Sequence, residues 1–271
     1  MRAFLFSVLV FRVFLAVAQE PVPEAMQEFS IPGQFDAFTT DELGNVYALR
    51  GDVLELYNPL GRSWLHNSVK TFGRIGSIDA FYSLKPMVFS PEQGQLAVLD
   101  NTLSPQGVIN LPRAGFPQVV LACMSVQNAF WFFDQREMAL VRVDGQLRPL
   151  ANTGRLDQLL GFTPKPLAMQ EQDSRLYVND PTEGILVFDL FGTYVKTIAI
   201  KNARSFEVRG EQLFYFGDQG AQVYDMRSFA VVPFVAAVPD GAVVRDMRVE
   251  RGRVHFLLED RILVQRFGAK E

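Results

Sequence analysis

Residues 184–200 read GILVFDLFGTYVKTIAI. An apolar run ends at Phe188-Asp189, Gly192 follows, and a second run alternates apolar and polar residues from Tyr194. Short runs rich in Val, Leu and Phe that stop at Asp and restart after Gly are two strands joined by a tight turn. Residues 53–66, VLELYNPLGRSWLH, have the same shape, with Tyr57-Asn58 and then Gly61. A phrase spelled twice at distant places in one chain points to a repeated structural unit.

Around the first phrase, residues 166–200 hold four strands. PLAMQEQ and RLYVND come first, ILVFDL follows a turn at Pro181-Thr182-Glu183-Gly184, and YVKTIAI follows Gly192. The same frame fits residues 35–66, 78–110, 118–150 and 204–235. Residues 243–267 supply only three strands, VVRDMRVE, RVHFLLED and RILVQRF. Second strands begin at Val46, Pro86, Phe130, Leu176, Leu213 and Val254, a spacing of roughly 40 residues, and four strands per such unit make the blade of a β-propeller. The unit that lacks a fourth strand must borrow one, or the ring keeps an open edge. Residues 27–32, QEFSIP, precede the first blade and can supply it. The expected fold is therefore all-β, a six-bladed β-propeller over residues 19–271 with its last blade closed by an N-terminal strand. A pair of β-sandwiches would also show frequent turn signals, but it leaves the spare N-terminal strand unexplained. Helix candidates are few, and the best is residues 156–160, LDQLL.

The chain opens MRAFLFSVLVFRVFLAVAQE. Arg2, an apolar stretch and Ala16-Val17-Ala18 before Gln19 read as a secretory signal peptide over residues 1–18. Arg12 interrupts the apolar stretch and would be costly in a retained membrane anchor. No later stretch is long and apolar enough to span a bilayer, so the expected product is exported, with no transmembrane segment in the mature chain. Its expected place is the periplasm or the periplasmic face of an outer membrane.

With 271 residues, 48% of them hydrophobic and 24 of them Phe, the chain has ample core material. Lys and Arg number 26 against 30 Asp and Glu, so no basic field favours nucleic acid as a partner. Cys123 is the single cysteine. It forms no internal disulfide, no cysteine near residue 18 offers a lipid attachment site, and LACMS reads as a strand that buries a small thiol. His66 and His255 both fall in strands, as structural or surface residues, and with one cysteine they make no zinc site.

Asp134, Asp180, Asp218 and Asp260 each end a second strand. Gathered at one mouth of the ring they are the candidate ligands for a cation such as calcium. Aspartate is also a turn residue, because its side chain caps backbone groups, and turn-forming neighbours such as Pro181 and Gly220 favour that role. No metal or other cofactor is expected. G-x-S-x-G, H-E-x-x-H and phosphate-cradling glycine loops are all missing from the sequence. No catalytic residue is assigned, and the chain is read as not an enzyme. Phe130-Trp131-Phe132-Phe133 puts aromatics on both faces of one strand, as buried inner strands require. Phe191 and Tyr194 flank a turn and are the candidate partner-binding residues.

LGNVYALRGDVLELYNPLG (43–61), LAVLDNTLSPQG (96–107), FWFFDQREMALVRVD (130–144) and NDPTEGILVFDLFGTYVKTI (179–198) resemble a group of secreted propeller-like proteins of Bacteroidota envelopes. The likeness runs along nearly all of the mature chain in the same order. It implies a periplasmic or outer-membrane-associated protein, and it brings no catalytic residues. The expected function is a non-catalytic binding or scaffold module, an accessory subunit of an outer-membrane-associated complex for assembly or secretion, with a protein partner in the envelope. The alternatives are a propeller that binds a small ligand or glycan, and a calcium-dependent propeller hydrolase of the lactonase kind.

Overall fold

A computed structural model describes residues 26–234, 238 and 241–266. The signal peptide expected over residues 1–18 lies outside the described residues. The strands form six four-stranded antiparallel sheets. Blade 1 is built from Ala37–Thr40, Val46–Arg50, Val53–Tyr57 and Ser63–Ser68. Blades 2 to 5 repeat that order, over residues 77–110, 119–152, 168–198 and 205–233. Blade 6 takes three strands from residues 246–266 and its fourth, Met26–Pro32, from the other end of the chain. The six first strands pack side by side in chain order, and the sixth returns to the first. The chain is a six-bladed β-propeller.

The hairpin that opened the sequence reading is a recurrent structure. Asn58, Asp100 and Asp144 directly follow the third strand of a blade, and Asp189 ends one. Each side-chain oxygen accepts the backbone N–H groups two and four residues on. The residue three positions on has positive φ: Gly61 at 72°, Leu103 at 61°, Leu147 at 64° and Gly192 at 82°. The carboxylate or amide thus replaces a backbone acceptor and folds the turn locally. Two of the four hairpins carry Gly at the left-handed position, and two force Leu into it.

Several strands differ by a few residues from the runs read in the sequence, and turn chemistry explains two of them, the first strand of blade 2 (read as IDAFYS, 78–83) and the fourth of blade 3 (read as QLRPL, 146–150). The first strand of blade 2 stops at Asp79, because the Asp79 carboxylate accepts the Phe81 N–H at 2.9 Å and turns the chain. The fourth strand of blade 3 starts at Pro149, because Asp144 holds Gln146 and Arg148 in its turn. The short helix falls at Leu156–Leu160 as expected.

Apolar side chains of adjacent blades interlock between the sheets. Ala129–Asp134, the second strand of blade 3, is buried at every position, and Trp131 is wholly buried among Phe133, Leu176, Leu186 and Phe188. Burying one such side chain stabilises by roughly 1.5–3 kcal/mol. Gly184 opens the third strand of blade 4 at φ 116°, and a Cβ there would lie 2.3 Å from the Ile198 carbonyl oxygen. Glycine alone fits that approach.

The ring closes where Met26–Pro32 pairs with Arg261–Arg266, setting Ile31 opposite Ile262 and Phe29 opposite Val264. Arg253 forks onto Glu28 at 2.7 and 2.8 Å and reaches the Pro59 carbonyl of blade 1 at 2.9 Å. One side chain therefore ties the second strand of blade 6 both to its borrowed strand and to the next blade.

Candidate functional site

The six first strands surround a central cavity of about 880 Å³. In a strand that lines a pore between packed sheets, polar residues are affordable only where they find partners. Here the partners come from the neighbouring blade. Asp79 accepts the Met124 N–H at 2.7 Å. Gln170 accepts the Val208 N–H at 2.8 Å and donates to its carbonyl at 3.2 Å. Glu207 accepts the Val249 N–H at 2.6 Å. Each first strand is the inner edge of its sheet, and these side chains use the backbone groups that no further strand covers.

Glu171 runs the other way, from blade 4 to blade 3. It takes the Trp131 Nε1–H at 2.8 Å, the Val126 N–H at 3.0 Å and the Ser125 hydroxyl. Arg142 joins this group through Ser125 Oγ at 2.8 Å and the Val126 carbonyl at 3.1 Å.

Toward blades 5 and 6 the channel is ionic. Arg209 bridges Glu207 and Glu250, and Arg248 pairs with Asp246 at 2.9 Å with its guanidinium over the Phe38 ring. Burial pushes the Asp79, Glu207, Asp246 and Glu250 carboxyls above their ordinary values, and the arginines only partly offset it. Burial works against the Arg248 cation, but Asp246, Glu207 and Asp79 outweigh it and hold that group above its usual value. Cys123 also lines the channel. Burial, reinforced by Asp79 and Glu171, lifts its thiol well above the ordinary range, the reverse of what a thiolate nucleophile needs. The arrangement braces blade against blade.

The sequence-nominated aspartates sit elsewhere. None of the four lines the channel. Asp134 accepts the N–H groups of Arg136 and Glu137. Asp180 accepts those of Thr182, Glu183 and Lys165. Asp218 pairs with Arg204 and Asp260 with Arg261. Among the described residues no three His, Cys, Asp or Glu side chains are placed to share a metal ion. His66 is exposed on an outer strand, and His255 is buried in blade 6.

In a four-stranded meander the first and third hairpins lie at one end of the disc and the second hairpin at the other. The four aspartates follow second strands, at one end. The third hairpins, at the opposite end, hold the three most exposed large apolar side chains among the described residues: Phe191 at 80%, Phe229 at 67% and Leu60 at 63%. Tyr194 is half-buried: its ring packs edge-on against Phe188 and its hydroxyl bonds Thr197.

The sequence reading passed over Asp79, Gln170, Glu207 and Arg248. Their signal was the polar content of the first strands, three letters in five in both SFEVR and DMRVE, set among strands that are otherwise mostly apolar.

No family model matches the chain, and no curated protein matches it. Many solved structures share its architecture. They include the Pan2 WD40 domain of Neurospora crassa, with a TM-score of 0.64 and 8% identity over 93% of this chain and 98% of that one. A streptogramin B lyase aligns with a TM-score of 0.61 and 12% identity over 91% and 97%. The likeness is one of fold. Virginiamycin B lyase from Staphylococcus aureus, at 0.57 and 13% over 84% and 79%, extends it. A shared propeller carries no shared chemistry by itself. No helix among the described residues is long and apolar enough to cross a membrane.

Proposed function

We propose that this chain is a non-catalytic binding module, a rigid disc that docks a protein partner through the end bearing Leu60, Phe191 and Phe229. The placement of these three side chains carries the reading. They stand on topologically equivalent hairpins of blades 1, 4 and 5. Asn58, Asp189 and Asp225 fix those turns by side-chain bonds to the backbone. Exposed apolar anchors on rigid turns are what an interface core needs, since little entropy is lost on docking. Fully covering one such side chain is worth roughly 1.5–3 kcal/mol.

The channel supports a role without chemistry, because Asp79, Glu171, Glu207 and Arg209 are engaged with a neighbouring blade and Arg248 with Asp246 on its own strand. The leader and the resemblance to Bacteroidota envelope proteins support a place in the envelope, as an accessory subunit of an outer-membrane-associated complex.

The test is affinity purification of the tagged protein from gently solubilised envelopes, beside a Leu60→Ser/Phe191→Ser/Phe229→Ser variant. The expected result is a stoichiometric protein partner held by the wild type and lost from the variant. A wild-type protein that elutes alone overturns the proposal, and a partner retained by the variant moves the interface to another surface.

A further inference from the structure

Blade 6 is the blade whose fourth strand arrives from the far end of the chain, so the ring depends on contacts that no hairpin enforces. His255 lies at the centre of that blade, on Arg253–Leu257, paired with Arg248 on one side and Val264 on the other. It is 1% exposed, and its Nδ1 has no hydrogen-bond partner. A neutral imidazole tolerates a bare nitrogen in apolar surroundings, but an imidazolium there buries an unsatisfied N–H and a charge.

The surrounding charges make protonation harder. Arg253 stands two residues along the same strand. Arg248, Asp246 and Glu250 face the ring from the first strand, Arg266 from the third, and Glu28 from the closing strand. Across the seam, Tyr57 packs with Leu257 and Val264, and Arg50 and Glu55 share its face of blade 1. Of these charges Arg253 opposes protonation most and Glu28 partly offsets it, and a hydrogen bond to the Arg248 backbone also favours the imidazolium without reversing the balance.

We propose that blade 6 is an acid-sensitive latch, in which protonation of His255 releases the closing strand Met26–Pro32 while the other blades stay folded. The order of titration supports it. Burial first, and then Arg253, push the His255 pKa down from 6.5 to about 4. The stabilisation from keeping it neutral is thus complete above the unfolded value and is lost as pH falls toward about 4. The Arg253 fork holds Glu28 below its ordinary value, so that carboxylate resists protonation more than a free one does. Asp246 and Glu250, with raised values, trend the other way and gain on acidification.

The test is hydrogen exchange by mass spectrometry on the full chain at pH 7 and pH 4.5, with rates corrected for intrinsic exchange. In wild type, residues 26–32 and 261–266 should lose tenfold or more of their protection relative to residues 184–189 of blade 4. His255→Phe, which cannot titrate, should keep it. Should that variant misfold, His255→Gln makes the same comparison. Wild-type closing-strand protection that persists at pH 4.5, or that falls uniformly in all blades, overturns the latch. So does an equal loss in a folded His255 variant.

Discussion

The seam between blades 3 and 4 and the seam between blades 6 and 1 perform the same geometrical task by different chemistry. At the first, Trp131, Phe133, Leu176 and Phe188 are buried, and one carboxylate, Glu171, gathers three donors from the adjacent blade. At the second, three arginines of blade 6 reach backbone carbonyls of blade 1. Arg245 binds Phe35 and Asp36, Arg251 binds Glu42, and Arg253 binds Pro59. Sequential blades are delivered to each other by a short connection, so apolar packing suffices. The ends of the chain must find each other, and loop closure over the whole domain costs entropy. Long side chains with several directed donors fix register where the chain does not. Inner seams should therefore fail through lost packing, and the closing seam through lost hydrogen bonds and ion pairs.

The largest effect should come from the packed seam. Trp131→Ala removes a wholly buried indole and strands Glu171 without one of its donors. The expected loss is about 4 kcal/mol in urea unfolding; a loss under ~1.5 kcal/mol would show that packing does not dominate there. Arg253→Ala at the other seam removes the fork on Glu28 and the bond to Pro59 while leaving the apolar cluster intact. We expect a loss of about 2–3 kcal/mol, with the exchange of residues 26–32 rising most. A Lys at that position should recover less than half of it, since an ammonium cannot fork.

A pH titration sharpens the contrast further. Burial raises Glu207 above its ordinary value. Its favourable contribution is therefore present below the unfolded pKa and lost as pH rises through the folded one. Through this group the wild type gains stability as pH falls from 7 to 5, while Glu207→Gln, which imitates the protonated form, should show a flatter profile. Urea midpoints at the two pH values check it. An unchanged profile in the variant would mean that the arginines fully offset burial.

Much of the ring was legible because its units are local. Each blade is written in consecutive runs and turns, and the spare QEFSIP strand found its place opposite Arg261–Arg266. Hairpins with Gly61 and Gly192 announced themselves by their glycine, whereas those with Leu103 and Leu147 at positive φ could be placed only from the apolar runs on either side, although the same Asn or Asp bonds fold all four. The channel was hidden for a different reason. Asp79, Gln170 and Glu207 each bond a backbone group in the next blade, and backbone partners leave no mark on sequence. The second-strand aspartates were conspicuous for the opposite reason, since a turn residue at a recurring position resembles a ligand set. His255 looked like any strand histidine, and only the tertiary packing reveals its bare nitrogen.

The smallest stability effect belongs to the hairpin tips, where two adjacent positions of equivalent turns point their side chains in opposite senses, the one two residues after the aspartate outward and the one three residues after it inward. Leu103 tucks into the seam between blades 1 and 2 and is 1% exposed, while Phe191 is 80% exposed. The two turns are folded by the same aspartate bonds, so the substitution Phe→Ser at 191 leaves the backbone and its partners untouched. Its expected effect on unfolding is within ~0.5 kcal/mol. Leu103→Ser, in contrast, should cost about 2–3 kcal/mol by opening a cavity in the seam. Retention of the proposed protein partner should respond in the opposite order, weakened several-fold by Phe191→Ser and unchanged by any folded Leu103 variant. Equal retention by both would remove Phe191 from the interface and leave the tips of blades 1 and 5 to account for binding.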